Sequence, residues 1–125
     1  MKVIILSSVL LTVSLFAQSA QEIIDANGCF ACHAVASKKA APAFAGIGKR
    51  NKRFEGTQAK ATIMNSIHNG SQGKYPKFSS TAMPPYANLS TEELSTLADY
   101  ILVQSSKAKG HGGQGMGQGM GKGRF

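Results

Sequence analysis

The chain has 125 residues, of which 42% are hydrophobic and 16% charged, with a formal net charge of +8 and two cysteines. That length allows one domain, and a single cysteine pair excludes both a disulfide framework and a zinc site built from four cysteines. The basic balance points to an acidic partner, an anionic surface or nucleic acid.

Residues 1–20 read as an export signal peptide. Lys2 supplies the positive start, and an apolar run, Val3 to Phe16, follows. Small residues at Ala17, Ser19 and Ala20 offer cleavage between about Ala17 and Ala20. The run is shorter than the roughly 20 residues of a spanning helix, so an uncleaved anchor is the weaker reading and no stable membrane insertion is expected after cleavage. Export also argues against nucleic acid as the partner.

A first helix is expected from about Ala20 to Asn27, with Ile23 and Ile24 apolar and Asn27-Gly28 ending it at a left-handed cap. Cys29-Phe30-Ala31-Cys32-His33 follows at once. Cys-x-x-Cys-His is the attachment sequence for c-type haem. Two thiols at this spacing reach the two vinyl groups on one side of the macrocycle and form thioethers, and the next residue presents an imidazole to the iron. A thiol–disulfide motif would sit near a βαβ pattern, which this chain lacks, and a plain structural disulfide leaves His33 unexplained. The sequence therefore predicts one covalent haem c, with His33 as an iron ligand. A large planar cofactor also supplies apolar core to a folded part of marginal size.

Ser37 to Pro42 reads as a basic loop, and Phe44 to Arg50 as a short turn of helix. A second helix is expected from Thr57 to Asn69, with Thr57 as its cap, Ala59, Ile63 and Ile67 on one face, and Gly70 as its stop. Ser71 to Asn88 is a loop long enough to be functional and holds three prolines. The last helix carries a capping box, Ser90 with Glu93, a staple of Leu89 and Leu94, and an apolar stripe of Leu94, Leu97, Ala98, Ile101 and Leu102. No alternating run predicts a strand, so the class is all-α.

Met64, Met83, Met116, Met120, His68 and His111 are candidates for the second axial ligand. Met83 is preferred: it lies in the long loop, fifty residues after His33, and Pro84-Pro85 stiffen the chain beside it. Met64 adjoins Ile63 and Ile67 and reads as core filler. Residues 107–125, rich in Gly and Met, read as a flexible tail. Its His111, Met116 and Met120 are donors suited to Cu(I), so copper handling stays an alternative function beside an enzyme or sensor with an open iron position.

From Ile23 to Gln104 the chain resembles the small periplasmic bacterial monohaem class I cytochromes c. The blocks that carry the resemblance are Asn27-Gly-Cys-Phe-Ala-Cys-His-Ala-Val35, Ala41-Pro-Ala-Phe44, Asn69-Gly-Ser-Gln-Gly73 and Ala82-Met-Pro-Pro85. The resemblance implies three to four helices wrapped around one haem across residues 21–106, with His33 and Met83 as the iron ligands. It implies that the Pro42 carbonyl accepts from His33 Nδ1–H, that Tyr75 stands near the propionates, and that Tyr100 sits where the last helix crosses the first. The chain departs from the pattern at Ala41, where glycine is common, and at Tyr86, where relatives place an asparagine that bonds the methionine sulfur. Asn88 is the nearest substitute. The segment between Gly73 and Met83 is longer than usual.

With both axial positions filled, such a site transfers single electrons and is not an enzyme. Lys38, Lys39, Lys49, Arg50, Lys52, Arg53, Lys74 and Lys77 form a basic rim that would steer acidic redox partners, an oxidase, peroxidase or reductase of a respiratory chain.

Overall fold

The computed structural model describes residues 17–108, and the structural statements below concern those residues. Four α-helices form, α1 (Ala20–Asn27), α2 (Phe44–Glu55), α3 (Ala59–Asn69) and α4 (Thr91–Val103), joined by loops and short 3₁₀ turns with no strand among the described residues. The apolar run Val3 to Phe16 and the tail donors His111, Met116 and Met120 lie outside them.

Helices α1 and α4 are fixed at their N-termini by local chemistry. Ser19 caps α1 by accepting from Glu22 N at 3.2 Å, while Glu22 Oε2 accepts from Ser19 N at 2.8 Å. This capping box holds two otherwise orphaned donors. Gly28 ends α1 with φ 66° and ψ 28°, a left-handed conformation in which glycine is least strained. The same device opens α4, where Ser90 and Glu93 exchange bonds at 3.1 and 2.8 Å.

Two segments differ from the sequence expectation. Helix α2 continues through Glu55 rather than ending near Arg50. Its buried positions are Phe44, Ala45, Gly48 and Asn51, at helical spacing but with a glycine and an asparagine in the stripe, so hydropathy alone shows too little apolar pattern. Helix α3 begins at Ala59, two residues later than expected, because a 3₁₀ turn, Gly56–Gln58, occupies the junction with α2. Thr57 lies inside that turn, and α3 has no side-chain cap.

The core is one cluster. Ile23 and Ile24 of α1, Phe44 of α2, Ile63 and Ile67 of α3, and Leu94, Leu97 and Ile101 of α4 are all buried in it. Helix α4 packs against the other three. Its approach to α2 depends on Gly48, where a Cβ would run into the carbonyl of Ile101. Such backbone-to-backbone contact excludes any side chain at that position. Among the described residues no helix is long and apolar enough to cross a membrane.

Candidate functional site

The Cys-x-x-Cys-His segment leaves α1 as a 3₁₀ turn, Cys29–Ala31, and His33 N closes it by donating to Cys29 O at 2.9 Å. Downstream, Ala41 N donates to Cys32 O at 3.0 Å, and Phe44 N and Ala45 N donate to Ala34 O and Val35 O at 2.9 Å each. The loop from His33 to α2 is thus anchored by backbone bonds. Cys29 is half-buried and Cys32 exposed, and no disulfide joins them. Burial pushes the Cys29 thiol above its usual range, more strongly than a backbone hydrogen bond lowers it.

His33 is buried at 8% exposure, and its ring has defined neighbours on two sides. Nδ1 lies 2.7 Å from Pro42 O. A carbonyl only accepts, so Nδ1 carries the proton and the Nε2 lone pair is left for a ligand. The ring stacks on Phe44 with centroids 5.0 Å apart and planes 17° from parallel. Phe44 also touches Phe30 at 5.9 Å and meets Tyr100 edge-on at 6.0 Å, so α4 supports the His33 ring through one buried phenylalanine. Burial lowers the His33 pKa, against the opposing pull of the Pro42 carbonyl, which favours a neutral imidazole.

Met83 is positioned by the end of α3. Ser71 N donates to Met83 O at 3.2 Å, and Met83 N donates to Ser71 Oγ at 3.2 Å. Tyr86 N donates to Ile67 O at 2.9 Å, and Thr81 Oγ1 donates to Ala40 O at 2.8 Å. The loop therefore closes onto both α3 and the segment after His33. Gly70 makes the close approach possible: a Cβ there would lie 2.9 Å from Met83 O.

These pieces meet at a cavity of about 860 Å³, its solvent-open mouth included. Cys29, Cys32, His33 and Met83 all line it, and Ile24, Ile63, Ile67, Leu97 and Ile101 supply much of its apolar surface. A smaller cavity of about 370 Å³ shares His33 and Met83 and adds Pro42 and Tyr75. Burial raises the Tyr75 phenol, against the lowering pull of Asn51 and Arg50. Tyr86 lines the larger cavity, whereas Asn88 is exposed and lines neither. Met64 is half-buried against the core cluster and His68 bonds Asn69, and neither lines either cavity. Tyr100 reaches the site through Phe44.

Three contributors were not singled out in the sequence: Phe44, Ser71 and the close packing at Gly70. Phe44 lies two residues after Pro42, but its stack on His33 needs the folded chain. Ser71 lies within a block that carries the family resemblance, yet nothing local ties its hydroxyl to Met83.

The donor set fits a haem. The cavity wall is apolar, as the macrocycle requires, and two thiols with an adjacent imidazole open onto it. Among the described residues no group of three or more His, Cys, Asp or Glu could hold a bare metal ion. An all-α fold closing an apolar cavity over a Cys-x-x-Cys-His turn defines a c-type haem protein of the class I kind.

The comparisons agree. The cytochrome c family model matches residues 17–105. Cytochrome c-551 of Pseudomonas aeruginosa is 38% identical over 109 residues, covering 83% of this chain and 99% of that protein. Cytochrome c-552 of Nitrosomonas europaea is 33% identical over 92 residues, covering 74% of this chain and 84% of that protein. The crystal structure of wild-type Nitrosomonas europaea cytochrome c552 superposes with a TM-score of 0.58 at 30% identity, covering 67% of this chain and 98% of that one. The chain belongs to the cytochrome c family. It is a small monohaem class I cytochrome c that binds one covalent haem c and transfers electrons.

Proposed function

We propose that the haem is attached through Cys29 and Cys32, ligated by His33 and Met83, and serves a one-electron shuttle of the bacterial periplasm. The observation that carries the reading is the meeting of Cys29, Cys32, His33 and Met83 at one apolar cavity. Of the candidate ligands among the described residues, Met83 is the one that lines it. A soft thioether favours ferrous iron and raises the potential, and burial of the iron acts in the same direction. Pro42 orients the proximal imidazole, and Tyr75 borders the haem from the smaller cavity. With both axial positions taken, the protein is a carrier rather than an enzyme. Its partners are acidic redox proteins of a respiratory chain, an oxidase, peroxidase or reductase.

Residues 1–20 act as the export signal, residues 21–106 as the haem domain and residues 107–125 as a tail. Cleavage after Ala17 would keep Ser19, the cap of α1, on the mature protein.

Met83→Ala tests the ligand set. The oxidised wild-type protein is expected to show the thioether-to-iron charge-transfer band at the red edge of the visible spectrum. The variant should lose it, bind carbon monoxide rapidly when reduced, and show a lower potential. An unchanged band would place the thioether on another residue, and rapid carbon monoxide binding by the wild type would argue against a closed shuttle site.

A further inference from the structure

Beside the smaller cavity, an arginine lies between two aromatic rings. The Arg50 guanidinium is 5.2 Å from the Tyr75 ring centroid and 5.5 Å from that of Phe54. Arg53 lies 5.4 Å from the Phe54 centroid. All three distances fall within the roughly 6 Å reach of a cation–π contact. Tyr75 lines the smaller cavity with His33 and Met83, while Phe54 is 54% exposed. Phe54, Arg50 and Tyr75 therefore form a contact series from solvent to the wall of the haem site.

A lone exposed apolar side chain needs no explanation. A ring with two guanidiniums over it is different, because arginine and aromatic residues are enriched at the energetic centres of protein interfaces. The surroundings are cationic as well. Helix α2 carries Lys49, Arg50, Lys52 and Arg53 against one carboxylate, Glu55. Lys52 donates to Ser105 at 2.7 Å. Among the described residues the one ion pair within 4 Å is Lys60 with Asp99, so neither arginine of the stack has a carboxylate partner.

We infer that the C-terminal end of α2 is the docking surface for an acidic redox protein, and that the Phe54–Arg50–Tyr75 stack is the route of electron transfer to the haem. The inference rests on the electron-shuttle reading. An acidic protein fits better than an anionic membrane because the stack leads to the cavity, and a lipid headgroup has no electron to exchange. In the transfer, the reduced centre of the partner loses one electron and ferric haem iron gains it. No bond breaks, no proton moves, and with an oxidised partner the direction reverses.

A reduced plant-type [2Fe–2S] ferredoxin, an acidic one-electron donor, serves as the probe. Stopped-flow reduction of ferric holoprotein is compared for wild type, Arg53→Glu, Phe54→Ala and Lys38→Glu, with potential and visible spectrum recorded for each. Arg53→Glu and Lys38→Glu change the net charge equally, so their difference isolates position. At low salt, Arg53→Glu and Phe54→Ala should each lower the second-order rate about tenfold, with salt closing the gap for the charge variant. Lys38→Glu, at the haem-attachment end of the basic rim, should lower it by clearly less than Arg53→Glu does. The reverse order would move docking to the haem-attachment end and overturn the inference. Wild type sedimenting with phosphatidylglycerol vesicles, Arg53→Glu failing to, and both reacting equally with ferredoxin would assign the patch to membrane instead. Tyr75→Leu should lower the limiting rate at saturating ferredoxin while the half-saturating concentration holds. A limiting rate that stays put after allowance for any change in potential would refute the route. A protein that dithionite does not reduce with a haem spectrum would instead refute the shuttle reading on which all this rests.

Discussion

Replacing Gly70 by alanine tests how the fold sets the position of Met83. Gly70 closes α3 at φ 85° and ψ 171°, a region close to glycine-only, where another residue costs about 1–3 kcal/mol. The added methyl would also stand 2.9 Å from Met83 O and 3.3 Å from Pro85 N. Both are backbone atoms of a loop already bonded to Ser71, so relief requires moving the segment that bears the methionine. Overpacking of this kind adds roughly 1–3 kcal/mol. The sum, about 2–6 kcal/mol, is a large share of the stability of a small domain and corresponds to a fall in Tm of roughly 10–50 °C. Denaturation of the ferric holoprotein is followed by far-ultraviolet circular dichroism and by the charge-transfer band. The variant should melt earlier by both probes, and its band should be weaker or shifted even in the folded state. An unchanged melting temperature would refute the strain. Lower stability with an unaltered band would show that Gly70 ends the helix without setting the ligand.

Three further outcomes follow from the packing and the charges. Gly48→Ala places a methyl against the Ile101 carbonyl at the α2–α4 crossing and should cost at least about 3 kcal/mol, read as a drop in denaturant midpoint or loss of folded holoprotein. Ser90→Ala removes one half of the α4 capping box and should cost about 1 kcal/mol by the same melt, with potential and visible spectrum unchanged. Tyr75 has its folded pKa raised by burial, so it favours the folded state fully below the unfolded tyrosine value of about 10 and loses that contribution as pH rises through the folded value. Tyr75→Phe should therefore remove a late-ionising phenol from the ultraviolet alkaline titration and lessen the loss of stability above about pH 10. A titration identical to wild type would refute the assignment.

Much of the site was legible because its chemistry is local. The proposed attachment needs two thiols at fixed spacing with an imidazole beside them, and Cys29, Cys32 and His33 supply these within five residues. Helix α4 was legible for a similar reason, since Ser90, Glu93 and its apolar stripe lie within one segment. Helix α2 runs longer than its hydropathy suggests because Gly48 and Asn51 occupy buried positions that hydropathy assigns to the surface. Gly48 is buried because the Ile101 backbone lies against it, a contact between residues 53 positions apart. Ser19 falls within the stretch that reads as the export signal, yet Ser19 and Glu22 have the spacing of a capping box and form one.

By itself the sequence determined the haem class, the Cys-x-x-Cys-His turn proposed for attachment and the all-α character, since bonding and helix periodicity act between near neighbours along the chain. Tertiary structure decided which methionine borders the cavity, that Phe44 supports the His33 ring, that Gly70 and Ser71 hold the Met83 loop, and that Arg50 lies between Phe54 and Tyr75. Those relations join residues distant in sequence, and only the burial of shared apolar surface brings them within contact range.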